Sequence, residues 1–429
     1  MKSLQEIAQY CSAKLIGHAD LQNKWEPLID SRLLNNPENT IFFAIVTPNN
    51  NGHKYIPELI SKGVKAFVVE KIPEVSNSAD VCFLLVNDTL KALQNIAKGI
   101  RQNFANDVIG ITGSNGKTIV KEWLVQLLPE NLNICYSPKS YNSQLGVPLS
   151  LWPLDNHFDL GIFEAGISTT GEMDALEAMI KPDIGILTHL GPAHNQGFDN
   201  PEQKLQEKMK LFSNAKCLIT QYNSKVFEYF SGSILSYDFN NSKADLNITN
   251  REVKGKSTHI TAIYKNEPVA FNIPFIDEAS IENACLCALT LLHLDKFNAH
   301  KFSSLQAVSM RMELKKGLHN CLLVNDSYSN DLHSLGVALN FLNQQSIHSK
   351  KTVILSDIEE SGLPSELLYA NVKRMLKDLG ISRLIAIGSD FKNQSQKFEN
   401  EFDYTHFDDT QNFLNKVSLS AFKDESILI

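Results

Sequence analysis

The chain has 429 residues, 43% of them hydrophobic and 21% charged, which suits two or three globular domains and argues against a disordered or collagen-like chain. Its net charge of −8 speaks against a general nucleic-acid-binding surface, while leaving room for a local phosphate pocket. Seven cysteines with no CxxC pair indicate neither a disulfide framework nor a zinc site.

The opening Met1-Lys2-Ser3-Leu4-Gln5-Glu6 reads as the start of a polar amphipathic helix without a signal-peptide core. The longest apolar runs, such as 40–46, are strand-length and too short for a membrane span, so a cytoplasmic protein is expected. Up to about residue 106, short strands at 41–46, 66–69 and 83–86 precede a helical stretch at 90–104. The polar run 101–106 marks a boundary.

A strand–loop–helix unit follows, with the strand at 108–111, the loop at 112–116 and a helix at 117–128 that Pro129 stops. Strands at 160–163, 184–187 and 217–220 alternate with helices at 172–180 and 202–212, the pattern of a parallel sheet covered on both faces. Residues 233–276 alternate polar and apolar and read as an antiparallel appendage, closed by a helix at 280–294. A third, smaller doubly wound unit is expected from strands at 321–324, 352–355 and 384–387 and helices at 332–342 and 365–379. The fold expected is therefore α/β in three domains: 1–106, 107–313 and 314–429. The apolar end Ser426-Ile427-Leu428-Ile429 reads as a strand cut mid-sheet, which suggests a fragment of a longer chain.

Chemistry concentrates in Gly110-Ile111-Thr112-Gly113-Ser114-Asn115-Gly116-Lys117-Thr118. Between a strand and a helix, backbone amides from Gly113 to Lys117 can converge on phosphate oxygens. Lys117 can reach the β- and γ-phosphates and the Thr118 hydroxyl can bind Mg²⁺. The spacing departs from strict GxxxxGK[ST], with Ile111 at the first glycine position. Glu164 ends the neighbouring strand, on the side where doubly wound sheets bind ligands. His189 and His194 follow another strand end, as cation ligands or hydrogen-bonded structural residues. Lys208 has nothing in its spacing to select it, and Lys204 and Lys210 read as solvated helix lysines. Asn325-Asp326-Ser327-Tyr328-Ser329-Asn330-Asp331 is a polar turn whose tyrosine hints at a ligand-facing loop.

Taken together, Gly113-Ser114-Asn115-Gly116-Lys117-Thr118, Phe163-Glu164-Ala165-Gly166 and Gly191-Pro192-Ala193-His194 resemble the Mur ligase family, ATP-dependent amide ligases of peptidoglycan synthesis. Asn325 to Asn330, the run Asn142-Ser143-Gln144-Leu145-Gly146-Val147-Pro148 and Val120-Lys121-Glu122 resemble its branch that adds D-alanyl-D-alanine to UDP-N-acetylmuramoyl-tripeptide. The resemblance runs from Asp30-Ser31-Arg32 to the last strand.

That resemblance implies a set of roles. Asp30-Ser31-Arg32, Phe43-Ala44 and Gly52-His53 would bind UDP. Gly113, Ser114, Asn115, Gly116, Lys117 and Thr118 would hold ATP, with Asn283 on the adenine side and Arg311 and Asp326 on ribose or phosphate. Two Mg²⁺ sites would use Thr118, Glu164, His194 and a carbamylated Lys208. Asn142 and Ser143 fall among the substrate-binding positions, and Tyr328 and Asn330 would line the dipeptide side. His189, Gln196, Ser143, Ser329 and Asp331 depart from the family pattern. In some bacteria this ligase is fused to a downstream alanine racemase, which a chain cut at Ile429 fits.

Three alternatives stand beside this one. The first is another Mur ligase or a folylpolyglutamate synthase; the second is an inactive scaffold for such a racemase. The third, a guanine-nucleotide switch, would need Asn-Lys-x-Asp after the loop, whereas the nearest match, Asn23-Lys24-Trp25-Glu26, lies before it.

Overall fold

The computed structural model describes residues 2–17, 22–47, 50–74, 81–191, 198, 200–308, 313–327, 330–345, 347–358 and 363–429. Three main sheets carry the architecture, of six, nine and six strands in chain order.

The first helix, Leu4–Cys11, starts after a two-residue strand, Lys2–Ser3. Ser3 Oγ accepts from Glu6 N at 3.2 Å while Glu6 Oε2 accepts from Ser3 N at 2.8 Å, a reciprocal cap that satisfies two end amides. In the sheet behind it, strand alternation divides the apolar residues between two faces. Ile41 and Phe43 of Thr40–Phe43 pack towards the helix Thr89–Gln102, and Phe42 and Ala44 pack towards Ile56 and Leu59. The core on the Thr89–Gln102 side continues into the next unit through Val147, Leu151 and Trp152.

Arg101, expected in a polar boundary, is instead buried and binds across it. Its guanidinium donates to Ile180 O at 2.9 Å, Lys181 O at 2.8 Å and Asp183 Oδ2 at 2.8 Å.

The central sheet runs Ile134–Tyr136, Leu160–Glu164, Val108–Thr112, Ile184–Leu187, Cys217–Gln221, Ser233–Phe239, Leu246–Lys254, Ser257–Tyr264, Glu267–Ile273. All pairings through Leu246–Lys254 are parallel and the last two are antiparallel. Residues 233–276 therefore extend the central sheet: the strand at 233–239 joins in parallel, and the strands at 246–273 pair antiparallel among themselves as expected. Tyr237, Leu246, Ile248 and Ile260 share one apolar face beneath Glu278–His293, and a strand covered on one side alternates in either direction of pairing. The loop strand Val108–Thr112 lies in the interior and is wholly buried, which explains its unbroken apolar run.

The third sheet runs Glu313–Lys316, Leu322–Asn325, Glu425–Leu428, Lys350–Ser356, Arg383–Ile387, Asp403–Phe407, parallel except at its first strand. The apolar Glu425–Leu428 strand sits inside the sheet. Among the described residues no helix is long and apolar enough to cross a membrane.

Arg101 makes one of the polar links between the first two units, beside Lys2 Nζ to Leu154 O and Trp152 Nε1 to Trp25 O, so Arg101→Met leaves two helix-end carbonyls and Asp183 each short of a donor. The expected loss is about 2–4 kcal/mol of unfolding free energy, read from urea denaturation. An unchanged midpoint would show the link to be dispensable.

Candidate active site

The site forms where the loop leaves the sheet. Gly113 and Gly116 have φ of 149° and 88°, which L-residues rarely adopt. A side chain at Gly113 would run into Thr188 Oγ1, and a Cβ at Gly116 would lie 2.5 Å from Asn283 Oδ1. Strand-end and helix residues thus press on the loop from both sides. Ser114 N donates to His189 O at 2.8 Å, Ser114 Oγ donates to Gly191 O at 3.0 Å, and Thr188 Oγ1 donates to Asn115 O at 2.6 Å. The loop then feeds the helix Lys117–Leu127, whose first amides face any anion in its mouth.

A buried oxygen nest adjoins that helix start. Thr118 Oγ1 donates to Glu164 Oε2 at 3.0 Å and lies 2.9 Å from Ser140 Oγ. Glu164 Oε1 accepts no hydrogen bond; Lys121 Nζ faces it at 3.1 Å as an ion pair, and neither side chain is exposed. Lys121 also donates to Ser137 O at 2.6 Å and to Lys139 O. A hydroxyl beside a carboxylate with spare acceptor capacity is the hard donor set that Mg²⁺ takes when phosphate and water complete its shell. These residues fit the metal.

Three lysines crowd the other side of the loop. Lys117 Nζ folds back onto Gly113 O at 2.9 Å and Ser114 O at 3.1 Å. Lys208 Nζ, on a residue only 2% exposed, donates to the same Gly113 O at 3.0 Å. Lys204 Nζ donates to Gly191 O at 2.7 Å. Lys204 and Lys208 lie four apart on Pro201–Met209 and so share one inward face.

Lys204 is not the solvated lysine that its helix suggested: it is 4% exposed. The exposed one is Lys210, paired with Asp174 at 2.9 Å and Glu207 at 2.8 Å. Burial, then the charges of Lys117 and Lys204, hold the Lys208 ammonium well below the usual lysine range. Burial and Lys117 likewise bring Lys204 down to about 8, against an opposing pull from Asp331. Like charges about 4 Å apart cost on the order of 4 kcal/mol at an effective dielectric near 20. The cluster is built to receive an anion.

Two further clefts border the loop's unit. One, about 250 Å³, is lined by His189, Tyr222, Glu282 and Asn283 among others, and Asn283 stands between it and Gly116 of the loop. His189 Nδ1 lies 3.8 Å from Glu282 Oε2. Tyr222 is not singled out in the sequence, where its one signal is that it follows a parallel strand end, and Glu282 enters only as the neighbour of Asn283. The other cleft, about 590 Å³, runs between the first and central units, lined by Asp30, Asn36, Thr40, Ser140 and Ser143 among others.

Apart from Ser143, which lines the larger cleft, the remaining predicted residues scatter. Ser31 and Arg32 form a surface turn in which Arg32 pairs with Asp30 at 2.6 Å. His53 is buried with both ring nitrogens engaged, Nδ1 with Asn51 Oδ1 at 2.9 Å and Nε2 accepting from Glu70 N at 3.0 Å. It braces its own domain and lines neither cleft. Asn142 O accepts from Gly166 N at 2.9 Å, and Ser143 Oγ accepts from Gly146 N at 3.1 Å. Asp326 N donates to Ile429 O at 2.8 Å, while Asn330 Nδ2 donates to Ser356 Oγ at 2.9 Å and Asp357 O at 2.7 Å. The third unit instead meets the loop through Ser334 Oγ and Asp331 Oδ2, at 2.8 and 3.4 Å from Asn115 Nδ2. His194, Arg311 and Tyr328 lie outside the described residues.

A parallel sheet with a phosphate loop at its carboxyl edge, flanked by two further α/β units, defines a multidomain nucleotide-binding protein. The family model for the Mur ligase middle domain matches residues 111–291, so the central unit is similar to the middle domain of the Mur ligases. The UDP-N-acetylmuramoyl-tripeptide–D-alanyl-D-alanine ligase of Bacillus subtilis is 24% identical over 410 residues, covering 91% of this chain and 87% of that one. A crystal structure of MurF from Acinetobacter baumannii shares the fold with a TM-score of 0.81 at 21% identity, over 99% of this chain and 94% of that one. MurF ligase from Thermotoga maritima in complex with ADP gives 0.72 at 19% identity, over 94% and 93%.

The lysine cluster carries a pH signature. A lysine whose folded pKa lies below its unfolded value destabilises the fold fully below the folded pKa, and that penalty fades as pH rises towards the unfolded one. Without nucleotide, Lys204→Met is therefore expected to melt above the wild type at pH 7, the gap closing between about pH 8 and 10.5. Ser114 Oγ still satisfies Gly191 O in the variant. A lower melting point for Lys204→Met at pH 7 would contradict the repulsion.

Proposed function

We propose that this protein is an ATP-dependent amide ligase that joins D-alanyl-D-alanine to UDP-N-acetylmuramoyl-tripeptide through an acyl phosphate, in the cytoplasm. The observation that carries the reading is the meeting, at one loop, of the lysine cluster and the Thr118–Glu164 oxygen pair. The relatives named above supply the substrates.

The chemistry follows from charge. A carboxylate is a poor acyl donor, so its oxygen first attacks the terminal phosphorus of ATP and ADP leaves. Two anions must approach, and Lys117 with the loop amides offsets their repulsion and the charge that develops between them. Thr118 and Glu164 would hold Mg²⁺, which supplies Lewis-acid polarisation of the phosphoryl oxygens; a second Mg²⁺ belongs to the same reading. The dipeptide amine then attacks the acyl carbon, phosphate leaves and a proton is released.

Lys208 suits carbamylation. Depressed as it is by burial and by neighbouring ammoniums, it presents the neutral amine that attacks CO₂, losing a proton and gaining a carboxylate that the surrounding cations stabilise. In this reading residues 1–106 bind the UDP-sugar beside the larger cleft, 107–313 bind ATP and 314–429 bring the dipeptide. Closure on the Asn115 contact would exclude water from the acyl phosphate.

A coupled phosphate-release assay that omits ATP, UDP-muramoyl tripeptide and D-alanyl-D-alanine in turn should lose its signal each time. Full release with folate or UDP-muramoyl dipeptide instead would reassign the substrate. Lys117→Ala is expected to cut turnover by at least about a thousandfold while circular dichroism and melting stay near wild type; residual turnover near the wild-type rate would remove the loop from the mechanism.

A further inference from the structure

We propose that Lys204 is an additional phosphate-contacting residue of this site, its ammonium facing the terminal phosphate of bound ATP from the Gly191 side of the loop. The inference rests on the ATP-ligase reading and adds to it a residue that this chain carries on the helix turn before Lys208.

Geometry supports it first. The Gly191 carbonyl accepts both Ser114 Oγ, at 3.0 Å, and Lys204 Nζ, at 2.7 Å, so the ammonium adjoins a loop residue through a shared acceptor. The Gly113 carbonyl does the same for Lys117 and Lys208. The Gly113 and Gly191 carbonyls thus anchor three lysine side chains.

Position along the loop assigns the phosphate. The amides of Gly116 to Thr118 lie at the helix start, where an anion binds, while Lys117, the residue that reaches the β- and γ-phosphates in a phosphate loop, holds its ammonium at Gly113 and Ser114. Gly113 and Ser114 form the opposite end, and it is this end that Lys204 joins.

Burial also bears on the proposal: Lys204 is 4% exposed, so its charge is little screened from an anion held by the loop. The depressed range of Lys204 reflects the same burial, and the pull of Asp331 shows that the start of the third unit also senses this ammonium.

The test is calorimetric titration of the full chain with the β,γ-imido analogue of ATP and, separately, with ADP, each with Mg²⁺. Lys204→Met should weaken the triphosphate analogue by about tenfold or more and ADP by no more than about twofold. Lys204→Arg, which keeps the charge, should recover most of the loss. Turnover of Lys204→Met should fall through kcat, with KM for D-alanyl-D-alanine unchanged.

Equal weakening of both nucleotides would assign Lys204 to packing or to Lys208 and overturn the proposal, as would unchanged binding of both. A wild-type chain that binds neither nucleotide would fail the ligase reading itself. A wild-type chain that binds and turns over, alongside a Lys204→Met variant that matches it, would sink this inference alone.

Discussion

One carbonyl oxygen, that of Gly113, accepts hydrogen bonds from two lysine side chains drawn from different helices. Crowded amines do not share an acceptor unless the fold holds them there. The rigidity comes from the interior strands Val108–Thr112 and Ile184–Leu187, both wholly buried, and from Thr188, whose hydroxyl locks the loop from the next strand. The helix Pro201–Met209 then turns Lys204 and Lys208 inward by its periodicity alone. The hydrophobic core stabilises an arrangement that electrostatics opposes, as is common where a site is prepared for a charged ligand.

On the far side of the loop the opposite arrangement holds. Glu164 is fully buried, but Lys121, itself fully buried, lies beside it and is anchored by the carbonyls of Ser137 and Lys139. A carboxylate held this way keeps its orientation without spending all its lone pairs. Excess positive charge therefore gathers where phosphates are expected, and a compensated carboxylate sits where a cation is expected. The separation follows from sheet topology: the loop strand has Leu160–Glu164 on one side and Ile184–Leu187 on the other, and each contributes its own chemistry at its carboxyl end.

Much of this was legible in the sequence because local rules and tertiary demands agree. The run 108–118 states its strand, turn and helix at once, since apolar burial, glycine geometry and helix start fall in order. Helix 172–180 and strand 184–187 are equally plain in their periodicity. Lys204 was illegible because a lysine on a polar helix is usually solvated, and only the packing of that helix against the loop shows which face points in. Arg101 misled for the same reason: a polar run between units looks like a linker until its guanidinium is seen capping a distant helix. The strands at 233–254 hid their parallel pairing because one-sided burial alternates in either direction. His53, chosen by resemblance, has both ring nitrogens committed to its own domain.

The contact between Asn115 and the start of the helix Leu332–Gln344 joins these threads. Asp331 accepts from Ser334 N at 3.0 Å and from Ser334 Oγ at 2.6 Å, the arrangement of a helix N-cap, and the same carboxylate lies 3.4 Å from Asn115 Nδ2. A cap that satisfies its own helix therefore also reaches into the phosphate loop and tempers the charge on Lys204. Without nucleotide, this carboxylate is an anion within reach of the lysine cluster. Phosphates entering the loop would bring far more negative charge to the same lysines and would repel Asp331. In the proposed reading, nucleotide binding and the seating of the third unit would then be coupled through one electrostatic balance. That coupling would need no long pathway, because the loop itself contacts both the lysine helix and the capping aspartate.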